Sequence, residues 1–167
     1  MPRRIARDEA VARALAERGG AACLICALRD GAAGPRWVLA EGEHSLALLS
    51  RYPLRWGHTL VAIRGHVERF SEVDDAAWAE AGRLALRVAR ALERALAPRR
   101  VYVASLGAAA PDLPMSSPHL HLHVVPLHDP GDRPSAVFTL SEGTVDGTTA
   151  EWAELRERIA AALRDEP

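Results

Sequence analysis

Hydrophobic positions along the chain fall into two rhythms, one of helices and one of strands. In Arg7–Arg18 the apolar residues Val11, Ala14 and Leu15 recur at helical spacing until Gly19 and Gly20 stop the run. A second helical stretch is longer. Ser71 is read as its N-cap with Asp74 in the capping-box position, Trp78, Leu84, Ala85, Val88, Leu92 and Leu96 form one apolar side, and Pro98 ends it after about Ala97. A closing helix is predicted over Thr149–Arg164. Between the helices lie short runs suited to strands: Trp37–Glu41 and Ser45–Leu49 joined by Gly42-Glu43-His44, then Thr59–Ile63, Arg100–Leu106, His119–Leu127 and a short strand at Ala136–Leu140. The segment GAAAPDLPMSSP reads as a loop. This order predicts an α+β fold, an antiparallel sheet of about five strands with a long helix packed on it. One domain is expected, with residues 1–20 as an N-terminal helix, 21–128 as the core and 129–167 as a C-terminal extension.

Composition narrows the partners. A chain of 167 residues can bury roughly 70% of its unfolded surface without disulfide staples. With 49% hydrophobic residues and a formal net charge of −1, neither disorder nor bulk electrostatic attraction to nucleic acid or membrane is expected, and a small soluble partner fits better. Every basic residue is arginine, and the chain has no lysine, asparagine or glutamine, so no carboxamide is available to any active site. No run of about 18 apolar residues occurs and the N-terminal stretch lacks a long apolar core; a cytoplasmic protein is therefore expected.

Candidate chemistry concentrates in SSPHLHLHVVPLH, Ser116 to His128, which holds four of the seven histidines. In a strand His119, His121 and His123 share one face and Leu120, Leu122 and Val124 the other. Such a row offers imidazoles that act as nucleophile in one protonation state and donor in another. It also suits a metal ion, and a histidine on a sheet is most often a satisfied, partly buried residue. Cys23 and Cys26 form a C-x-x-C pair, open to a metal, a redox or a buried structural reading. The redox reading wants a thioredoxin-like βαβ context, which the predicted element order lacks.

His119-Leu-His121-Leu-His123-Val-Val followed by Pro126 resembles the signature of the histidine-triad family of nucleotide hydrolases and transferases. The segment Ser45 to Val73 is similar to that family's earlier glycine-histidine, strand and second histidine, and the likeness runs from about Cys23 to Leu127. The resemblance implies a nucleotide hydrolase acting on a nucleoside phosphoramidate, acyl-nucleotide or dinucleoside polyphosphate. In it His121 attacks the α-phosphorus and carries the nucleotidyl group, and His123 hydrogen-bonds a phosphate oxygen. His58 orients the triad, and Ser116 or Ser117 helps hold phosphate charge. It further implies a structural zinc on Cys23, Cys26, His66 and His119, which would fix His119 beside the nucleophile, and a homodimer.

Several positions depart from the family pattern. Ser50 stands where relatives grip the ribose with an acidic or amide residue. Ser105 is the nearest polar candidate for a phosphate-contacting amide, and Leu127 and His128 stand where an arginine is frequent. His44 and His128 match no motif position and are expected to be solvated. Three rivals follow from the same residues: nucleotidyl transfer to an acceptor other than water, a zinc-stabilised nucleotide-binding module with negligible turnover, and a metal-dependent hydrolase using all three triad histidines on one ion.

Overall fold

The computed structural model describes residues 2–18, 22–107 and 117–165. Its centre is a five-stranded antiparallel sheet in the order β2-β3-β4-β6-β5, built from β2 (Val38–Glu41), β3 (Ser45–Leu49), β4 (Thr59–Ile63), β5 (Arg100–Ala104) and β6 (His121–Leu127). The long helix α3 (Asp75–Leu96) and the closing helix α5 (Thr149–Arg164) cover one face, as the α+β expectation requires. There Ala47, Leu49, Val61, Leu122 and Val124 meet Leu84, Val88 and Leu92 of α3 and Leu155 and Ile159 of α5. The opposite face carries Leu46 and Leu48 against Leu28, and Val125 and Leu127 against Leu54 and Val137. All five residues of β3 are therefore buried, as an apolar run without alternation demands when both faces are covered.

Several boundaries differ from the sequence expectation for identifiable reasons. Asp74, not Ser71, caps α3: its carboxylate accepts from the amides of Ala76 and Ala77 at 2.9 and 3.2 Å, while Ser71 sits in a separate turn, Phe70–Glu72. β6 begins at His121, because Pro118 and a tight contact from the His119 amide to the Ser117 carbonyl (2.7 Å) bend the chain just before it. The strand expected at Ala136–Leu140 is instead the short helix α4 (Pro134–Val137). Proline at its first position is preset for a helix, and the Thr139 hydroxyl donates back to the Ser135 carbonyl at 2.7 Å.

Two elements carry no clear pattern in the sequence. One is α2 (Leu24–Arg29), too short to show helical periodicity; the other is a ribbon of β1 (Arg3–Ile5) with β7 (Thr144–Asp146). The ribbon ties α1 (Arg7–Arg18) to the C-terminal segment, and Gly143 makes it possible. Its φ is 74° and a Cβ there would lie 1.9 Å from the Ile5 carbonyl oxygen.

A buried ion pair anchors the loop that enters β4. Arg55 Nε donates to Asp132 Oδ1 at 2.9 Å, a second guanidinium nitrogen meets the same oxygen, and Glu142 lies 2.9 Å from the guanidinium. Asp132→Ala leaves the Arg55 charge buried with one half-exposed partner, and should lower the unfolding free energy by about 3–5 kcal/mol. Urea denaturation checks this, and replacing both residues with leucine should cost less than the single change.

Candidate functional site

β6 places His121 and His123 on the sheet face opposite α3, paired across the sheet with Ala62 and Leu60 of β4. Gly57, at φ 96° and with Leu96 and Pro126 where a Cβ would stand, turns the chain so that His58 is buried beneath them. The three rings are linked end to end. The Leu54 amide lies 3.2 Å from His58 Nδ1, His58 Nε2 lies 3.0 Å from His123 Nδ1, His123 Nε2 lies 3.1 Å from His121 Nε2, and His121 Nδ1 lies 2.6 Å from the His119 carbonyl oxygen.

Both ends of this chain act in one way only, and they fix every proton between them. An amide N–H only donates, so His58 Nδ1 accepts and His58 Nε2–H donates to His123 Nδ1. His123 then carries its proton on Nε2 and donates to His121 Nε2. From the other end, a carbonyl only accepts, so His121 is protonated on Nδ1 and its Nε2 bears a lone pair. The two deductions agree, with one proton per ring and all six ring nitrogens partnered.

Electrostatics supports three neutral rings. Burial holds His58 well below the ordinary imidazole range, reinforced by His123. Burial likewise lowers His121, although the carbonyl acceptor on Nδ1 works against it, and burial with the His121 ring nearby holds His123 down at about 3. The arrangement thus presents a buried but accessible lone pair on His121 Nε2, with a ring N–H beside it that can turn to an incoming oxygen.

Beyond His121 in the N-terminal direction lies a second cluster. Cys23 Sγ is 3.5 Å and Cys26 Sγ 3.4 Å from His119 Nδ1, Cys26 Sγ is 3.4 Å from His66 Nδ1, and one ligand atom from each of the four residues lies within 4.8 Å of the others. Cys23 is also the N-cap of α2, its sulfur accepting from the Cys26 amide at 3.4 Å. His119 Nε2 donates to the Ile63 carbonyl (2.6 Å) and His66 Nε2 to Glu68 (3.2 Å), so Nδ1 of each ring faces the sulfurs and offers a lone pair to a metal once it gives up any proton it shares with the thiolate. Burial alone would raise the Cys23 thiol, but contacts with His119 and the Cys26 amide outweigh it and bring it to about 6. Burial and the neighbouring Cys23 raise Cys26 to about 11. Two sulfurs and two nitrogen lone pairs converge. A tetrahedral ion with bonds of about 2.0–2.3 Å needs ligand atoms roughly 3.3–3.8 Å apart, so the donor set suits zinc.

A cavity of about 470 Å³ opens over His121 and His123. Ser50 is buried in its wall, and its amide donates to the His58 carbonyl at 2.8 Å. Ser117 also borders the cavity and lies 3.9 Å from Cys23 Sγ. Ser105 is not among the lining residues; its hydroxyl accepts from the Gly107 amide at 3.5 Å. Ser116 lies outside the described residues. His44 stands 3.9 Å from Glu43, and His128 is exposed at a separate polar recess with Arg55 and Asp132. The His66–Glu68 contact was open to detection from its spacing of two. By contrast, the Leu54 amide and the Ile63 carbonyl are backbone groups with no side-chain signal.

The HIT domain matches residues 33–129. An uncharacterised HIT-like protein of Mycoplasma genitalium is 33% identical over 110 residues, 65% of this chain and 75% of that protein. Among solved structures, a Zn-bound histidine triad family protein from Mycobacterium smegmatis is 26% identical with a TM-score of 0.66, covering 86% of this chain and 94% of that one. A hypothetical histidine triad nucleotide-binding protein from Sulfolobus tokodaii, 23% identical with a TM-score of 0.69, covers 86% and 93% and shares the fold.

The proton assignment has a direct spectroscopic consequence. At pH 6, long-range 1H–15N NMR should show His58 and His123 as neutral Nε2–H tautomers and His121 as the neutral Nδ1–H tautomer. In the unfolded chain these rings take up protons near about pH 6.5, so acidification through that value favours unfolding, while above it they contribute no pH dependence. A charged His121 or His123 at pH 6 contradicts the assignment.

Proposed function

Since the chain belongs to the HIT domain family, we propose that it is a nucleotide hydrolase working through a covalent nucleotidyl intermediate on His121. The observation that carries this reading is the lone pair on His121 Nε2, defined by its 2.6 Å Nδ1 contact to the His119 carbonyl and its 3.1 Å contact to His123. Attack of Nε2 on the α-phosphorus forms the N–P bond as the leaving group departs with the electrons of its bond and gains a proton. The ring becomes cationic while Nδ1–H stays on the carbonyl, which stabilises that charge and keeps the imidazole a good leaving group for the second step. His123 Nε2–H, freed from the lone pair it had capped, donates to a phosphate oxygen. Water then attacks phosphorus as the N–P bond breaks and its electrons return to His121 Nε2; the hydroxyl of that water completes the nucleoside monophosphate, and its second proton passes to solvent, replacing the one the leaving group took from there. His58 holds His123 in the tautomer this requires. Ser117 and Ser50 are the cavity-lining hydroxyls of the expected substrate set, the first towards phosphate and the second towards ribose.

Cys23, Cys26, His66 and His119 are proposed to hold a structural zinc, supported by the convergence of their ligand atoms and by the Zn-bound relative. Once bound it would crosslink α2 to the bend before β6. The acceptor for His121 is the His119 carbonyl, so this cluster positions the nucleophile through the backbone. A homodimer is proposed across the free β5 edge, where Val103, and Leu86 of α3, are exposed.

Incubation with nucleoside phosphoramidates, acyl-nucleotides and dinucleoside polyphosphates, followed by intact-mass analysis, should trap a nucleotidyl adduct mapping to His121. His121→Ala should lose it, with turnover falling by on the order of 10³-fold or more and the melting temperature retained. Nucleotide binding with no adduct from any substrate would identify a binding module instead. Native mass spectrometry should find two chains with one zinc each, and Cys23→Ala should lose the metal and melt earlier. A monomeric, metal-free wild type, purified without chelator, contradicts both assignments.

A further inference from the structure

Helix α1 lies outside the segment that matches the HIT domain, yet it forms a wall of the cavity over His121 and His123. Arg7, Ala14 and Leu15, separated by seven and eight residues and so on one helical stripe, all border that space. The helix is held in place at both ends. The Glu17 carboxylate accepts from Arg51 Nε at 2.8 Å and the Tyr52 hydroxyl at 2.5 Å, and β1, immediately before the helix, pairs with β7. Arg13 adds an ion pair to Asp146 at 3.1 Å.

Two of the cavity-lining side chains of α1 are left without an evident structural task. Leu15 is 58% exposed at the cavity wall, and Arg7 has no hydrogen-bond or ion-pair partner among the described residues. The electrostatics of the site makes Arg7 conspicuous. The three relay histidines are neutral, and of the two arginines lining the cavity Arg51 is committed to Glu17. An anionic phosphate entering this space therefore meets one uncommitted cation. Arg7 follows β1, whose Ile5 carbonyl packs against Gly143, in the same segment as Phe138, a further lining residue whose ring lies 5.9 Å from that of His123.

Resting on the nucleotide reading above, we propose that α1 is a substrate-recognition element in which Arg7 binds the phosphate and Leu15 covers the apolar part of the nucleoside. The added helix thus supplies charge that the relay lacks and an exposed leucine at the cavity wall. Guanidinium–phosphate pairing is charge-assisted, so its loss is worth roughly tenfold or more in affinity, and trimming a half-covered leucine about fivefold.

Titration calorimetry of the full chain with each of the four nucleoside 5′-monophosphates and their nucleosides tests this. For the tightest pair, Arg7→Ala should weaken the monophosphate about tenfold or more and leave the nucleoside within twofold, with Arg7→Lys recovering part of the loss. Leu15→Ala should weaken both ligands about fivefold. Arg83→Ala removes the same charge from α3 on the opposite face and should change neither. Monophosphate affinity unchanged in Arg7→Ala, an equal loss for nucleoside and monophosphate in that variant, or unchanged affinities in Leu15→Ala overturns the assignment. So does a wild-type chain that binds none of the eight ligands. Adduct formation is scored separately: its absence alongside the expected binding pattern removes the catalytic reading alone, and its presence alongside unaltered variants removes this inference alone.

Discussion

The hydrogen-bonded line from the Leu54 amide through His58, His123 and His121 to the His119 carbonyl constrains the rest of the site. Three imidazoles are stable under this degree of burial only while they remain neutral and every ring nitrogen has a partner. That condition explains why the groups at the ends are backbone atoms. An amide and a carbonyl do not titrate, so the direction of the line does not reverse with pH. It also explains the cost invested around it: Gly57 at positive φ buries His58, and the Arg55–Asp132 pair fixes the loop that presents the Leu54 amide.

His119 joins this line to the sulfur cluster with two different atoms. Its carbonyl receives the His121 proton, and its ring faces Cys23 and Cys26 while Nε2 is tied to the Ile63 carbonyl. The bend before β6 is therefore held from three directions. In a regular strand His119 would project its ring beside His121; the bend instead turns it towards α2, and the triad divides into one residue that shapes the backbone and two that face the cavity.

How much of this was legible in the sequence follows from the range of each signal. Short apolar runs bounded by turn residues match Ser45–Leu49 and Thr59–Ile63 to the residue, and period-two alternation puts His121 and His123 on one face. The motif resemblance brought Cys23, Cys26, His66 and His119 together before any coordinates did. Local patterns failed where tertiary contacts decide: three residues of β1 meet three of β7 across most of the chain, and no window of sequence contains both. The apolar run at Ala136–Leu140 looks like a strand, but Pro134 and the Thr139 hydroxyl satisfy its backbone locally as a helical turn. Ser105 is a candidate by proximity in sequence alone, and its hydroxyl accepts from the Gly107 amide of its own loop.

The neutrality of the relay and the identity of the cavity walls are two sides of one constraint. A charged histidine at His123 would attract phosphate, but it would also have lost its acceptor nitrogen for His58 and dissolved the proton order that leaves His121 Nε2 free to attack. Nucleophilicity and phosphate attraction therefore cannot both reside in the triad. With no lysine and no carboxamide in the chain, positive charge has to reach the phosphate from an arginine that is not itself buried in the relay. Arg55 is consumed by Asp132 and Arg51 by Glu17. Among the described arginines that line the cavity Arg7 is left, on a helix whose position depends on a ribbon and a glycine far from the triad in sequence, and the proposed phosphate contact therefore falls on a segment flanking the family domain.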